Sequence, residues 1–197
     1  MDYAERHSQG TLPGMAKDVR ARMVEAAVRL LATKGLEGTS FAEVLELSGA
    51  PRGSIYHHFP GGKDELVTEA VALARERAMA YLEEQAGKPP REIAAAFLAL
   101  WRSVLTRSDL GAGCAVLAVT VATDDEQLLA RTAEVFRGWR ARLAALLTDA
   151  GLPSDEASRY AATLIASSEG AVVMARAEQS MEPFDLVAEQ LLAQLTP

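Results

Sequence analysis

The chain has 197 residues, of which 49% are hydrophobic, and a formal net charge of −7. This length and composition are ordinary for a globular protein with one core, or one core and a small satellite domain. The single cysteine, Cys114, excludes a disulfide framework within the chain and points to a reducing, cytoplasmic compartment. Residues 1–14 are polar and lack the apolar segment of a signal peptide, so residues 1–16 read as a disordered arm. The longest apolar stretches, such as 114–122, are far too short to cross a membrane, and no membrane partner is expected. Charge is unevenly placed. Residues 1–63 balance at +1 and residues 64–197 at −8, which puts any anion-binding surface in the first third.

The pattern is helical throughout, because Ala, Leu, Glu and Arg dominate and no stretch alternates with a two-residue period. A first helix is expected over Lys17–Lys34, with Val19, Met23, Ala26, Ala27, Leu30 and Leu31 on its apolar face and Gly35 ending it. Thr39 or Ser40 then caps a two-turn helix that ends near Leu47, with Glu43 placed to complete a capping box. Ser48-Gly49-Ala50 forms a tight turn. Pro51 suits the first position of a third helix running to His58 or Phe59, which stops before Pro60-Gly61-Gly62. Longer helices are expected at about Lys63–Gln85, Arg91–Arg107, Cys114–Ala122, Asp124–Ala150, Asp155–Ser180 and Pro183–Leu195, separated by Gly- and Pro-containing breaks.

Two short helices joined by a Gly-containing turn make a helix-turn-helix, whose second helix lies in a DNA major groove. Arg52 can fork onto a guanine edge. Gly53 permits close approach to DNA. Ser54 and Tyr56 carry hydroxyls that reach phosphate, while Ile55 and Phe59 face inward. Thr39, Ser40 and Lys63 stand at helix starts, where free amides attract phosphate, and Lys63 adds a positive charge. His57 and His58 are adjacent on a helix and point about 100° apart, which is poor geometry for one metal, so no metal site is expected.

The segments Gly53–Phe59 (Gly-Ser-Ile-Tyr-His-His-Phe) and Gly62–Leu66 (Gly-Lys-Asp-Glu-Leu) resemble the TetR family of repressors, over Lys17–Leu66 in detail. The longer run Pro51–Leu66, with Gly113-Cys114 and Ser168–Ala171, is similar to the LmrA/YxaF-like branch. Leu45 departs from the alanine usual in the family and bears on the angle between the two short helices. The resemblance implies an all-α dimer: a three-helix helix-turn-helix domain over residues 17–62, and a ligand-binding and dimerisation domain over residues 63–197. It implies DNA contacts at Thr39, Arg52, Gly53, Ser54, Tyr56, His57 and Lys63.

The aromatic pairs Phe97/Trp101 and Phe136/Trp139 each share a helix face. With Met79, Cys114, Leu117 and Met174 they are candidates to wall an apolar effector pocket, although core packing explains such pairs equally well. Cys114 at a helix start also admits a lowered pKa and redox sensing. The small-residue run over 164–175, with residues 185–195, reads as half of a dimeric four-helix bundle. There Leu164, Ser168, Glu169, Ala171, Ala175 and Arg176 would form the interface, and Glu169 and Arg176 would pair across the two-fold axis. The expected function is a repressor that binds a palindromic double-stranded operator as a homodimer. A small apolar or aromatic effector would release it, without any cofactor. An enzyme is disfavoured because no nucleophile elbow, phosphate loop or metal-ligand cluster is present.

Overall fold

A computed structural model describes residues 13–195, and side chains from Asp18 onward. The arm expected over residues 1–16 therefore lies largely outside the described residues. Helix α1 spans Pro13–Lys34, four residues earlier than the pattern placed its start. It is followed by α2 (Phe41–Ser48), α3 (Ile55–His58), α4 (Gly62–Glu83), α5 (Pro90–Arg107) and α6 (Ala115–Ala122). The chain ends in α7 (Glu126–Asp149), α8 (Ser154–Glu178) and α9 (Glu182–Ala193), with no strand among the described residues.

The third helix is shorter than expected. The Ser54 amide donates to the Pro51 carbonyl at 3.0 Å, and the Ser54 hydroxyl donates to the same oxygen at 2.6 Å. These bonds close a turn over Pro51–Ser54, so the helix opens at Ile55 and not at Pro51. It stops at His58 because Phe59 precedes Pro60, whose ring disfavours helical backbone in the residue before it. Phe59 accordingly sits at φ −131°, ψ 72°.

Ile55 and Phe59 hold this short element down. Both are buried, and they join Met23, Val44, Leu66 and Val67 in the core. The core continues without a break into the larger helices. Helix α1 packs on α2, α4 and α6, α4 packs on α7, and α7 packs on α8. Polar ties support the far end. The Tyr160 hydroxyl donates to the Leu191 carbonyl at 2.8 Å, and Arg91 donates to the Leu192 carbonyl at 2.9 Å.

The last carbonyls of α1 lack partners within their own helix. The body of the protein supplies them: the Gly113 amide donates to the Ala32 carbonyl at 2.8 Å, and Arg176 reaches the Thr33 carbonyl at 3.4 Å. The end of α1 is thus hydrogen-bonded to the loop before α6 and to α8.

Candidate DNA-reading surface and effector cavity

The helix-turn-helix is built by local bonds. Ser40 caps α2 by accepting from the Glu43 amide at 3.3 Å. The Glu43 carboxylate pairs with Lys34 and does not close a capping box. Gly49 ends α2 at φ 65°, a left-handed conformation that costs a residue with a Cβ more than it costs glycine. Here the Ala50 amide donates to the Leu45 carbonyl at 3.2 Å. Arg22 of α1 donates to the Ser48 carbonyl at 2.9 Å and pins the turn. Leu45 is half-buried against the core.

Ser40, Arg52, Gly53, Tyr56 and His57 are exposed, and Tyr56 is exposed to 70%. Its ring meets Phe41 edge-on with centroids 5.5 Å apart, which puts the starts of α2 and α3 on one surface. Arg52 makes no ion pair among the described residues. His58 is half-buried. Burial, then His57 and Arg20, hold its imidazole below the usual range.

Three expected phosphate contacts are placed differently. Thr39 is fully buried, and its hydroxyl donates to the Gly35 carbonyl at 2.8 Å. Lys63 donates its ammonium to the Leu36 carbonyl at 2.7 Å. The Ser54 hydroxyl is bound to Pro51. In each case a backbone carbonyl of the motif takes the donor, so these side chains brace the motif in the DNA-free protein.

Between the helix-turn-helix and the C-terminal helices lies an apolar cavity of about 250 Å³. Val28 and Ala32 of α1, Ala74, Ala78 and Leu82 of α4, and Phe97, Leu100, Trp101 and Val104 of α5 line it. Cys114, Ala115, Val116, Trp139, Ile165 and Glu169 complete the wall, with Arg77 and Gly113. The empty space arises where small side chains at 32, 74, 78 and 115 face large ones.

Four expected pocket residues are here: Phe97, Trp101, Cys114 and Trp139. Four are not. Met79 and Leu117 are half-buried and packed against the core. Phe136 packs edge-on behind Trp139, with centroids 5.6 Å apart. Met174 faces outward at 43% exposure. None of these four lines the cavity. Cys114 caps α6, accepting from the Leu117 amide at 3.4 Å. Burial, then the neighbouring Glu169, push its thiol well above the usual range, the opposite of what a redox-sensing thiolate requires.

The residues expected at the dimer interface take these places in the single chain. Leu164, Ser168, Ala171 and Ala175 are fully buried within the protomer. Glu169 belongs to the cavity wall, and Arg176 reaches across to α1. With Glu169 turned inward, the single chain does not favour the expected Glu169–Arg176 pairing between protomers. The outward face of α8 is instead Thr163, Ala166, Gly170, Val173 and Ala177, with Leu186 exposed on the neighbouring α9.

Sequence reasoning missed Glu169 as a cavity residue, along with the α1 and α4 walls. Glu169 carried a legible signal: it lies four residues after Ile165 and three before Val172, on a buried stripe. Burial raises its carboxyl from 4.5 to about 7, opposed by the Cys114 side chain. Neither carboxyl oxygen has a hydrogen-bond partner, and the same holds for the indole N–H groups of Trp101 and Trp139.

A helix-turn-helix joined through shared helices to an all-helical body defines a DNA-binding transcription regulator. Residues 23–70 match the bacterial regulatory proteins of the tetR family, and residues 90–190 match the LmrA/YxaF-like transcriptional regulator C-terminal domain. The chain belongs to the TetR family, LmrA/YxaF-like branch, and is a regulator rather than an enzyme. It is 38% identical over 179 residues to the HTH-type transcriptional regulator Rv0196 of Mycobacterium tuberculosis, covering 87% of this chain and 91% of that protein. It is 28% identical over 170 residues to the regulator LmrA of Bacillus subtilis, covering 84% and 90% respectively. A TetR transcriptional regulator structure from Chloroflexus aurantiacus superposes with a TM-score of 0.75 at 26% identity, covering 91% of this chain and 95% of that one. Among the described residues no helix is long and apolar enough to cross a membrane.

Proposed function

We propose that the protein is a repressor that binds a palindromic operator as a homodimer and is released when a small, largely apolar molecule enters the cavity. The observation that carries this reading is the ownership of the cavity walls. Helices α1 and α4, which hold the helix-turn-helix, supply one side, and α5 to α8 supply the other. Filling the space acts on both at once. A ligand that favours a different setting of α1 and α4 changes the separation of the two recognition helices in a dimer. It lowers DNA affinity by the difference in its own affinity for the two settings. The Gly113–Ala32 bond and the Arg176–Thr33 bond give a second route from cavity to α1.

On the DNA side, Arg52 reads a base edge, Gly53 allows close approach, and Ser40, Tyr56 and His57 contact the backbone. Thr39, Ser54 and Lys63 set the shape of the motif. The small-residue face of α8 (Ala166, Gly170, Val173), with Leu186 of α9, forms the self-complementary dimer surface. The domain division falls at the start of α4. The test is fluorescence anisotropy on the DNA upstream of the protein's own gene. Wild type binds with steep salt dependence, and Arg52→Ala binds more weakly by about 1–3 kcal/mol with relaxed preference at one base. Equal binding by that variant removes the base-reading role.

A further inference from the structure

The cavity wall is apolar except at a few points, and the chief of these is Glu169. It is 8% exposed, and both carboxyl oxygens lack a partner. A buried carboxyl must either hold its proton or meet a cation. Among the described residues no cation is paired with it. Among the residues lining the cavity only Arg77, Cys114 and Glu169 are titratable. Arg77 is bound to Glu25, with Nη1 3.0 Å from the carboxylate and Nη2 also paired to it. Cys114 is a neutral, buried thiol. Glu169 thus brings a buried carboxyl without a cation to the wall of a space lined by Phe97, Leu100, Trp101, Val104, Trp139 and Ile165, with the Cys114 thiol as its polar neighbour.

We propose that the effector is an apolar, monocationic amine whose ammonium group pairs with Glu169 while its hydrocarbon part fills the cavity. This deepens the reading of the cavity as the effector site and rests on it. An ammonium brings strong N–H donors to a carboxylate whose neighbouring donor is the weak Cys114 thiol, and charge-assisted bonds are the strong ones in such surroundings. The Trp101 and Trp139 rings add faces that attract a cation. Their indole N–H groups are likewise buried without a partner.

The test uses three probes of nearly equal shape: 1-naphthylmethylamine, 1-naphthalenemethanol and 1-naphthoic acid. Binding to the full-length protein is read from the emission of Trp101 and Trp139, the chain's two tryptophans. The amine binds wild type at least about tenfold more tightly than the alcohol, and the acid binds most weakly. In Glu169→Gln the preference of amine over alcohol disappears while alcohol binding is retained, which also shows that the variant is folded. Amine affinity for wild type rises between pH 6 and pH 8, as Glu169 gives up its proton, and alcohol affinity stays level. Alcohol binding as tight as amine, or an amine preference that survives in Glu169→Gln, overturns the proposal and leaves the cavity standing. Failure of all three probes to bind wild type overturns the cavity reading as well.

Discussion

Ala78 lines the cavity from α4, so Ala78→Leu adds three carbons to a space of about 250 Å³. Each buried CH₂ contributes roughly 0.8 kcal/mol, about 2.4 kcal/mol in all. Fixing the leucine rotamer opposes this by about 0.5–1 kcal/mol. The net gain is about 1.5 kcal/mol, the reverse of the usual result of enlarging a core side chain, where overpacking costs about 1–3 kcal/mol. For a chain of this size the gain corresponds to a rise in Tm of about 3–6 °C, read by circular dichroism at fixed protein concentration. The same substitution occupies part of the volume the effector needs. Affinity for 1-naphthylmethylamine should fall at least about tenfold, whereas affinity for operator DNA should be unchanged. A lower Tm would show that the space is not available at this wall. A higher Tm with undiminished probe affinity would show that the probe binds elsewhere, and the reasoning would fail.

Glu169 makes stability depend on pH in a known direction. Its carboxyl is raised from 4.5 to about 7 in the folded chain, so the folded state binds the extra proton between these values and stability falls as pH rises through that window. Glu169→Gln removes a penalty approaching about 3 kcal/mol above pH 7. The difference in urea midpoint between variant and wild type should therefore grow from pH 5 to pH 8, and parallel curves would contradict it. Gly49→Ala places a Cβ at φ 65° with only Arg22 Nη1 nearby, 3.7 Å away. It should destabilise by about 1 kcal/mol through backbone strain alone, measurable by chemical denaturation. Lys63→Ala deletes the bond to Leu36, and the expected result is a loss of about 1 kcal/mol in stability with only a small change in the salt dependence of DNA binding. A large flattening of that dependence would instead place Lys63 on phosphate. Replacing Ala166 and Val173 together by arginine sets like charges across the α8 face. Sedimentation should then report monomers, while a persistent dimer would move the interface elsewhere.

The helices were legible because helix formers, caps and breakers act over a few residues. Gly35 and Gly49 end their helices as the pattern indicated. The exception was Pro51: proline suits a helix start, but the Ser54 bonds to its carbonyl made a turn instead. Phe97 and Trp101 were legible as a shared face, yet nothing in that spacing distinguishes core from cavity wall. Met174 and Phe136 illustrate the same limit, since an apolar residue on a long helix can point to any of several neighbours.

The order of local signals along the chain determined the helix-turn-helix and the exposed side chains Arg52, Tyr56 and His57 proposed to meet DNA. Such contacts span a turn or two, and their energetics are set by residue type and spacing. Only the tertiary structure decided where the volume is left over. That depends on small residues from α1, α4 and α6 meeting across the core, and no one-dimensional spacing encodes it. The same packing turned Glu169 from a surface partner into an unpaired buried carboxyl, and moved the available α8 face to Ala166, Gly170 and Val173.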